Sequence, residues 1–367
     1  MVKNFGLSFP ISIDTAAQRS SAGERYACGE TMKPTRRSFL RLSSSGLAIT
    51  LAGSSSLAHE HVAKRGGRHF RFVQLDVFSS MPLQGNPLVV FPDARGLTDA
   101  EMQDLARETN LSETTFVLPR EPAVEREHGV RVRIFTTEEE IPFGGHPTLG
   151  TAMLLRDRLL RDKAATSVDR IVLDLKVGKI PVTFTDDASG AVFGEMHQVD
   201  PVFGQTHQRE TVAALIGVSP EQISDEGPVQ TISTGLPFAI VPLKSLRTLQ
   251  SLNPDPRKVR AYFAHAADLT DFYYITRDTQ DPAVGIRARG LFSNGEDPAT
   301  GSAAGCAISW MIRNGLAKSS QTVHIEQGVE MKRPSHIFAR AEKQGDKILN
   351  VRVGGHAVEV MEGEYLL

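Results

Sequence analysis

The stretch at 145–152, GHPTLGTA, opens a run of small and apolar residues that carries no charge before Arg156, and a second such run follows DPATGSA at 297–303. Proline suits the first position of a helix, so we predict helices that begin at Pro147 and Pro298. A helix that is apolar on every side must be buried on every side. Both runs therefore predict helices that the rest of the fold encloses.

The two apolar runs belong to a longer internal repeat. The pattern His-Pro-x-x-Gly at His146 returns as Asp-Pro-x-x-Gly at Asp297, which is 151 positions later. Upstream, GNP at 85–87 precedes LVVFP, and GLP at 235–237 precedes FAIVP, which is 150 positions later. Two matches at nearly one spacing indicate two structural repeats of roughly 150 residues.

Strands are predicted around these helices. FVQLDVF at 72–78, VRVRIF at 130–135 and VLDLKV at 172–177 alternate apolar and polar residues, which is typical of half-buried strands. We therefore predict an α+β fold of two pseudo-symmetric domains, 68–195 and 196–367. Each domain is a curved, mainly antiparallel β-sheet wrapped around a central apolar helix, and the active site lies in the cleft between the domains. The final strand is free to return to the first domain.

The composition argues against several classes of function. The 41 Lys and Arg residues nearly balance the 43 Asp and Glu residues, for a formal net charge of -2, so neither a nucleic-acid partner nor a membrane surface is expected. The chain contains only Cys28 and Cys306, which leaves no intramolecular disulfide in the mature protein and no Cys-rich metal site. No G-x-G-x-x-G follows a predicted strand, so dinucleotide chemistry is not favoured.

Residues 1–67 differ from the rest of the chain. The segment that starts at Met32 carries Arg36-Arg37, then an uncharged, modestly apolar stretch, then small residues up to Ala58. This order predicts a twin-arginine signal over about 32–58 and export, with a periplasmic mature protein that starts near His59. The alternative is a disordered tail on a cytoplasmic protein. The true start, Met1 or Met32, stays open, and no membrane span is expected in the mature form.

The starts of the two central helices are the predicted binding site. If the repeats face each other, free N–H groups near Gly145 and His146 on one side, and at Gly301 and Ser302 on the other, would bind a carboxylate. The alternative is that these loops only cap helices. Asp297 suits that alternative because Asp is a preferred N-cap. Histidine is a weak N-cap, and a pKa of about 6.5 suits proton transfer.

A third candidate for proton transfer is Glu113. It stands in NLSETTFVLP at 110–119, where a polar turn gives way to an apolar strand. Desolvation there would raise the pKa of the carboxyl group and let it shuttle a proton near neutral pH. Turn capping or a surface salt bridge is the alternative. The run Glu138 to Glu140 is more typical of solvated charge.

Four stretches together resemble the PhzF-like family of phenazine biosynthesis, which has a diaminopimelate-epimerase-like fold. The resemblance covers about residues 70–366, and the stretches, in the family's order, are DVFSSMPLQGNPLVVF, NLSETTFVLP, RIFTTEEEIPFGGHPTLGTA and SNGEDPATGSAAG. It implies a two-domain fold and cofactor-independent isomerase chemistry on a small carboxylic acid. By this resemblance the family's catalytic acid/base glutamate matches Glu113, and its cleft histidine and aspartate match His146 and Asp297. The substrate-anchoring loops match Gly145, Gly301 and Ser302.

The resemblance leaves the reaction open among related choices. Family relatives that epimerise amino acids carry a cysteine at the head of each central helix, and these loops carry none here. We expect an isomerase that shifts a proton within a small carboxylate, without a metal or other cofactor. The alternatives are an epimerase, racemase or dehydratase that lacks the cysteine pair, and a non-catalytic protein that binds a small acid. The oligomeric state, monomer or homodimer, is not decided by the sequence.

Overall fold

The computed structural model describes residues 67–163, 165–187, 190–264, 270–292 and 295–367. The predicted signal at 32–58 and Cys28 lie outside the described residues. The boundary between the two predicted domains stays a prediction.

The first half of the described chain contains eight strands and three helices. They are β1 (His69–Val77), β2 (Asn86–Phe91), α1 (Asp99–Thr109), β3 (Thr114–Leu118), α2 (Pro122–His128), β4 (Val130–Phe135), β5 (Glu140–Ile141), α3 (Gly145–Arg161), β6 (Arg170–Leu175), β7 (Gly178–Asp186) and β8 (Val192–His197).

The second half contains ten strands and four helices among the residues that the structure describes. They are β9 (Val202–His207), α4 (Arg209–Ile216), β10 (Val229–Ser233), β11 (Pro237–Leu243), α5 (Leu246–Ser251), α6 (Pro256–Tyr262), β12 (Asp271–Thr276), β13 (Ile286–Phe292), β14 (Gly295–Asp297), α7 (Gly301–Arg313), β15 (Val323–Gln327), β16 (Ser335–Gln344), β17 (Lys347–Gly355) and β18 (Ala357–Leu366).

The strands form one large, mostly antiparallel sheet, which confirms the predicted α+β class, and the sheets predicted for the two domains are continuous because β17 pairs with β8. Neighbours along it are β9, β10, β11, β12, β13, β15, β16, β17, β8, β7, β6, β4, β3, β2, β1 and β18, with β5 added to β4 and β14 added to β13. The last strand, β18, pairs with the first, β1. The C-terminal strand therefore returns to the first half of the chain, which confirms that expectation.

The pairing pattern repeats in the two halves. Strands β2 and β3 are parallel, as are β11 and β12. Helix α3 lies in the crossover between the parallel strands β4 and β6, and α7 lies in the crossover between the parallel strands β13 and β15. Parallel neighbours need such a crossover, usually a helix, so each central helix is held by the strands that precede and follow it.

Both central helices are enclosed, as predicted. Every residue from Gly145 to Leu154 in α3 is buried, and so is every residue from Gly301 to Ile312 in α7. One hydrophobic cluster contains side chains of both helices and of the strands around them. A helix without a polar face can lie in such a core without leaving polar side chains unsolvated.

The starts of the helices correct one detail of the repeat. Helix α3 begins at Gly145, two residues before the predicted start, and α7 begins at Gly301, three residues after Pro298. The two first residues are thus 156 positions apart, not 151. The match of His146 with Asp297 is therefore not a structural equivalence, and the residue that corresponds to His146 in α7 is Ser302.

Candidate active site

The N-terminal ends of α3 and α7 meet, as the sequence predicts. A Cβ atom placed on Gly145 would lie 2.5 Å from the Cα atom of Gly301, and one placed on Gly301 would lie 3.2 Å from the Cα atom of Gly145. Only glycine lets two backbones approach this closely. The first-turn N–H groups, which have no acceptors within their own helices, are thus brought to one place from two helices.

A cleft of about 730 Å³ opens over this junction. All six residues predicted for the site line it: Glu113, Gly145, His146, Asp297, Gly301 and Ser302. The volume lies in the range typical of small-molecule sites. The structure therefore brings together the residues that the sequence marks as candidates, although they come from three separate parts of the chain.

Glu113 immediately precedes β3 and extends its carboxyl group to the base of the cleft. Its Oε2 atom lies 3.5 Å from Nε2 of His146. Both atoms are buried, and neither has a hydrogen-bond partner among the described residues. Burial raises the pKa of Glu113 well above its ordinary value, and the nearby charge of Asp297 raises it further. The predicted desolvation of this carboxyl group is what the structure shows.

His146 is the second residue of α3 and is 3% exposed. Its Nδ1 atom lies 3.1 Å from the amide nitrogen of Asn86. Burial lowers the pKa of His146 to about 3. The pair formed by His146 and Glu113 is therefore not an ion pair near neutral pH, because burial disfavours the charged form of each partner.

Asp297 ends β14 and is almost fully buried. Its Oδ1 atom accepts hydrogen bonds from Asn86 Nδ2 at 2.7 Å and Ser112 Oγ at 3.1 Å, and its Oδ2 atom accepts one from Thr300 Oγ1 at 2.7 Å. Burial raises the pKa of Asp297 to about 6, against the opposing effect of these hydrogen bonds. The N-cap of α7 is Thr300, so the interpretation of Asp297 as a simple N-cap is wrong.

Two buried amide side chains at the site are missing from the predicted set. Asn86 donates to Asp297 and to the carbonyl oxygen of Ala299, at 2.9 Å. Gln327 donates to the carbonyl oxygen of Asp297 at 2.7 Å and accepts from the Thr300 amide at 3.1 Å. The sequence does carry a signal for each. Asn86 is polar where the second repeat has the apolar Leu236. Gln327 is polar at a buried position of the alternating strand β15.

An arginine and a glutamate form a matched pair beside each helix start. Arg133 on β4 donates to Glu140 on β5 at 2.9 and 2.8 Å, and Arg289 on β13 donates to Glu296 on β14 at 2.8 and 2.9 Å. Both pairs are bidentate, which fixes the geometry of each hairpin. Of the run Glu138 to Glu140, the first two residues are exposed as predicted, but the last is half-buried and ion-paired.

Cys306 lies away from the helix start, in the middle of α7. It is fully buried, its thiol donates to the carbonyl oxygen of Ile232 at 3.1 Å, and burial raises its pKa to about 11. Such a thiol is a poor source of thiolate. Among the described residues there is also no group of three or more His, Cys, Asp or Glu placed to hold a metal ion.

Two enclosed helices that direct their N-termini into one cleft, within an α+β fold, define the class of enzymes with the diaminopimelate-epimerase-like fold. The family model described as "Phenazine biosynthesis-like protein" matches residues 75–363, and the chain belongs to this family. The resemblance read from the four sequence stretches is thereby confirmed.

Two relatives and two solved structures illustrate the similarity. The chain is 34% identical over 301 residues to trans-2,3-dihydro-3-hydroxyanthranilate isomerase of Pseudomonas aeruginosa, which covers 81% of this chain and 99% of that protein. The crystal structure of a PhzF-family phenazine biosynthesis protein of Bacillus anthracis matches with a TM-score of 0.70 and 26% identity, over 82% of this chain and 100% of that one.

A hydroxyproline epimerase of Agrobacterium vitis matches with a TM-score of 0.53 and 11% identity, over 82% of this chain and 93% of that one, which shows the fold alone. An uncharacterized isomerase of Mesorhizobium japonicum is 34% identical over 311 residues, which is 81% of this chain and 98% of that protein. The chain is thus an isomerase of the phenazine biosynthesis-like family.

No helix in the described part of the chain is long and apolar enough to cross a membrane.

Proposed function

We propose that this isomerase shifts a proton from one carbon to another within a small, conjugated carboxylic acid, with Glu113 as the general acid and base. The observation that carries the proposal is the pair of buried, unpartnered atoms, Glu113 Oε2 and His146 Nε2, 3.5 Å apart at the cleft. Buried polar atoms are rarely left without partners. A substrate that brings its own polar or acidic hydrogen to this point would supply the missing contact.

The substrate carboxylate is held at the junction of the helices. The first-turn N–H groups of α3 and α7, at Gly145, Gly301 and Ser302, belong to residues that line the cleft, and the positive ends of two helix dipoles add to their attraction. This arrangement binds the anion through backbone groups. It also fixes the distance between the substrate carboxylate and Glu113.

The proton moves in two steps that balance without an added reactant. Ionised Glu113 takes a proton from a carbon next to the conjugated system, and the electrons of the broken C–H bond enter that system. The protonated Glu113 then returns the proton to a different carbon, where a new C–H bond forms. A raised pKa suits both steps, because general acid and base catalysis is most efficient when the pKa lies near the working pH.

His146 and Asp297 complete the site in this proposal. Neutral His146 presents Nε2 to the same point as Glu113 and orients the substrate or relays the proton. Asp297, whose pKa burial raises to about 6, disfavours a second negative charge on Glu113 and so keeps that carboxyl group ready to hold the proton. Close acidic groups commonly divide their protonation states in this way.

The substrate is proposed only by class. The relative from Pseudomonas aeruginosa is named for trans-2,3-dihydro-3-hydroxyanthranilate, which is a carboxylic acid and is the first compound to test. Function is carried by the site and not by the fold, and the predicted export signal gives no support for a substrate inherited from phenazine biosynthesis.

The test is proton exchange in deuterated water. The protein is incubated with candidate acids, and incorporation of deuterium into carbon is followed by mass spectrometry or NMR. We expect incorporation with the wild type, and a loss of about 10²- to 10⁴-fold in kcat for Glu113→Gln. Glu138→Gln, which changes an exposed carboxylate on the rim of the same cleft, is the matched control and should keep its activity.

Two outcomes would contradict the proposal. Full activity of Glu113→Gln would remove this residue from the mechanism. A ligand that binds in the cleft without any exchange of its carbon-bound hydrogen would favour a non-catalytic binding protein.

A further inference from the structure

Asn86 connects the two sides of the site at its most buried point. Its side chain is completely buried, and its single Nδ2 atom lies within hydrogen-bond distance of three atoms: Asp297 Oδ1 at 2.7 Å, Ala299 O at 2.9 Å and His146 Nδ1 at 3.1 Å. The first two are a carboxylate oxygen and a carbonyl oxygen, which accept. The nitrogen of the amide must therefore point to this side, and its two hydrogens are shared among these three atoms.

This arrangement restricts the protonation of His146. A neutral imidazole carries one hydrogen, on Nδ1 or on Nε2, and the other nitrogen accepts. A hydrogen on Nδ1 would point at the NH₂ group of Asn86, a donor facing a donor. With Nδ1 unprotonated, the hydrogen of His146 is on Nε2, the atom that lies 3.5 Å from Glu113 Oε2.

We infer that Asn86 is a positioning residue that holds His146 in the tautomer whose N–H group faces the substrate and Glu113. The importance of this tautomer for catalysis rests on the proposed function, whereas the tautomer itself does not. His146 would then act in the cleft as a hydrogen-bond donor toward the substrate, and not as a base that competes with Glu113 for its proton.

The unsatisfied oxygen of the same amide supports this assignment. Oδ1 of Asn86 is buried and has no hydrogen-bond partner among the described residues. An amide kept at a buried position with its oxygen unpaired is destabilising. The repeat offers the apolar alternative, since Leu236 occupies the corresponding place in GLP at 235–237. The NH₂ group therefore supplies something that leucine cannot, namely its contacts to His146, Asp297 and Ala299.

The tautomer is measured directly by NMR. Protein labelled with ¹⁵N in its histidines distinguishes a protonated ring nitrogen from an unprotonated one, and the signals of His146 are identified by their absence from His146→Gln. We expect wild-type His146 to carry its hydrogen on Nε2. A hydrogen on Nδ1 in the wild type would overturn the inference, whether or not any variant folds.

Two substitutions change the donor. Asn86→Asp replaces the NH₂ group by an oxygen that can accept, and should move the hydrogen of His146 to Nδ1. Asn86→Ala removes the partner, and should leave a mixture of tautomers. Gln198→Ala is the matched control: Gln198 is another buried amide, which donates to Gly301 O at 2.9 Å and has no hydrogen bond to His146 among the described residues. Its loss should leave the tautomer unchanged.

Unchanged His146 signals in both folded Asn86 variants would overturn the inference. If the tautomer changes, we expect kcat to fall about 10²- to 10³-fold, the usual range for the loss of one preorganised hydrogen-bond donor to the substrate. A changed tautomer with full turnover would show that Asn86 sets the tautomer but that His146 has no part in catalysis, which contradicts the proposed function and not the tautomer assignment.

Discussion

Glu113 and His146 face each other at 3.5 Å, and at another place in the protein such a pair would be a salt bridge. Here burial removes the water that would stabilise either charge, so the pKa of the acid rises and the pKa of the base falls. Desolvation therefore outweighs the attraction between the two groups. A site of this kind lowers the stability of the folded protein, because the ionised forms needed in turnover are poorly solvated.

The first prediction at the residue scale concerns the pH dependence of stability. The pKa of Glu113 is higher in the folded protein than in the unfolded chain, so the folded state holds this proton more tightly. The contribution is complete below the ordinary pKa and is lost as pH rises through the folded pKa. We expect Glu113→Gln to gain stability relative to the wild type as the pH rises above the ordinary pKa, by about 1.4 kcal/mol for each pH unit until the folded pKa is passed.

Denaturant unfolding of both proteins across the pH range measures this effect. The advantage of Glu113→Gln should shrink as the pH falls through the folded pKa and be lost below about 4, because the wild-type carboxyl group then becomes protonated in both states. An advantage that is independent of pH would show that packing, and not ionisation, separates the two proteins.

At the scale of elements, the two Arg–Glu pairs recur at the same spacing as the two central helices. Arg133 and Arg289 stand 156 positions apart, as do Glu140 and Glu296, and the same spacing separates the first residues of α3 and α7. The same ion pair therefore joins the two strands of each hairpin, at the same distance before the central helix begins. At this spacing Ile141 corresponds to Asp297, so the first hairpin has a buried apolar residue where the second has a buried acid.

The second pair gives a prediction for stability. Arg289 and Glu296 are both mostly buried, and Arg289→Met would leave a buried carboxylate without a partner. We expect the free energy of unfolding to fall by about 3–5 kcal/mol. The double variant Arg289→Met, Glu296→Met removes both charges and should recover part of this loss.

Denaturant unfolding of the single and double variants provides the measurement. The carbonyl oxygens of Leu249, Gln250 and Leu252, which Arg289 also satisfies, lose their donor in both variants, so the comparison isolates the unpaired charge. A double variant that is as unstable as the single one would show that these carbonyl contacts, and not Glu296, explain the loss.

At the scale of the whole molecule, the proposed export concerns residues outside the described part of the chain. The family match begins at residue 75, after the predicted signal at 32–58. We propose that replacing Arg36 and Arg37 by Lys retains the protein in the cytoplasm, because the paired arginines are the feature that the export pathway reads. Cell fractionation measures the location, and N-terminal sequencing of the native protein should find a start near His59. A native protein that still contains residues 36–58 would contradict the proposal.

Much of the fold could be predicted from the sequence, because burial leaves a local record. Charge-free runs after Pro147 and Pro298 predict enclosed helices, and alternating patterns predict the strands around them. Glu113 could be found for the same reason, since it interrupts the start of an apolar strand. These patterns do not record how the two repeats align residue by residue. The sequence match at a spacing of 151 aligned Asp297 with His146, whereas the spacing of 156 in the structure aligns it with Ile141.

The sequence by itself determined that two apolar helices lie inside an α+β fold and that Glu113, His146 and Asp297 are the acid–base candidates. Only the tertiary structure decided that Asn86 and Gln327 hold those candidates in place. The physical reason is distance along the chain. Asn86 bonds to a carboxylate 211 positions away, and such a contact depends on how the strands of the whole sheet align. Local residue patterns indicate which side chains are buried. Hydrogen-bond partners depend instead on how the sheet packs around its two helices.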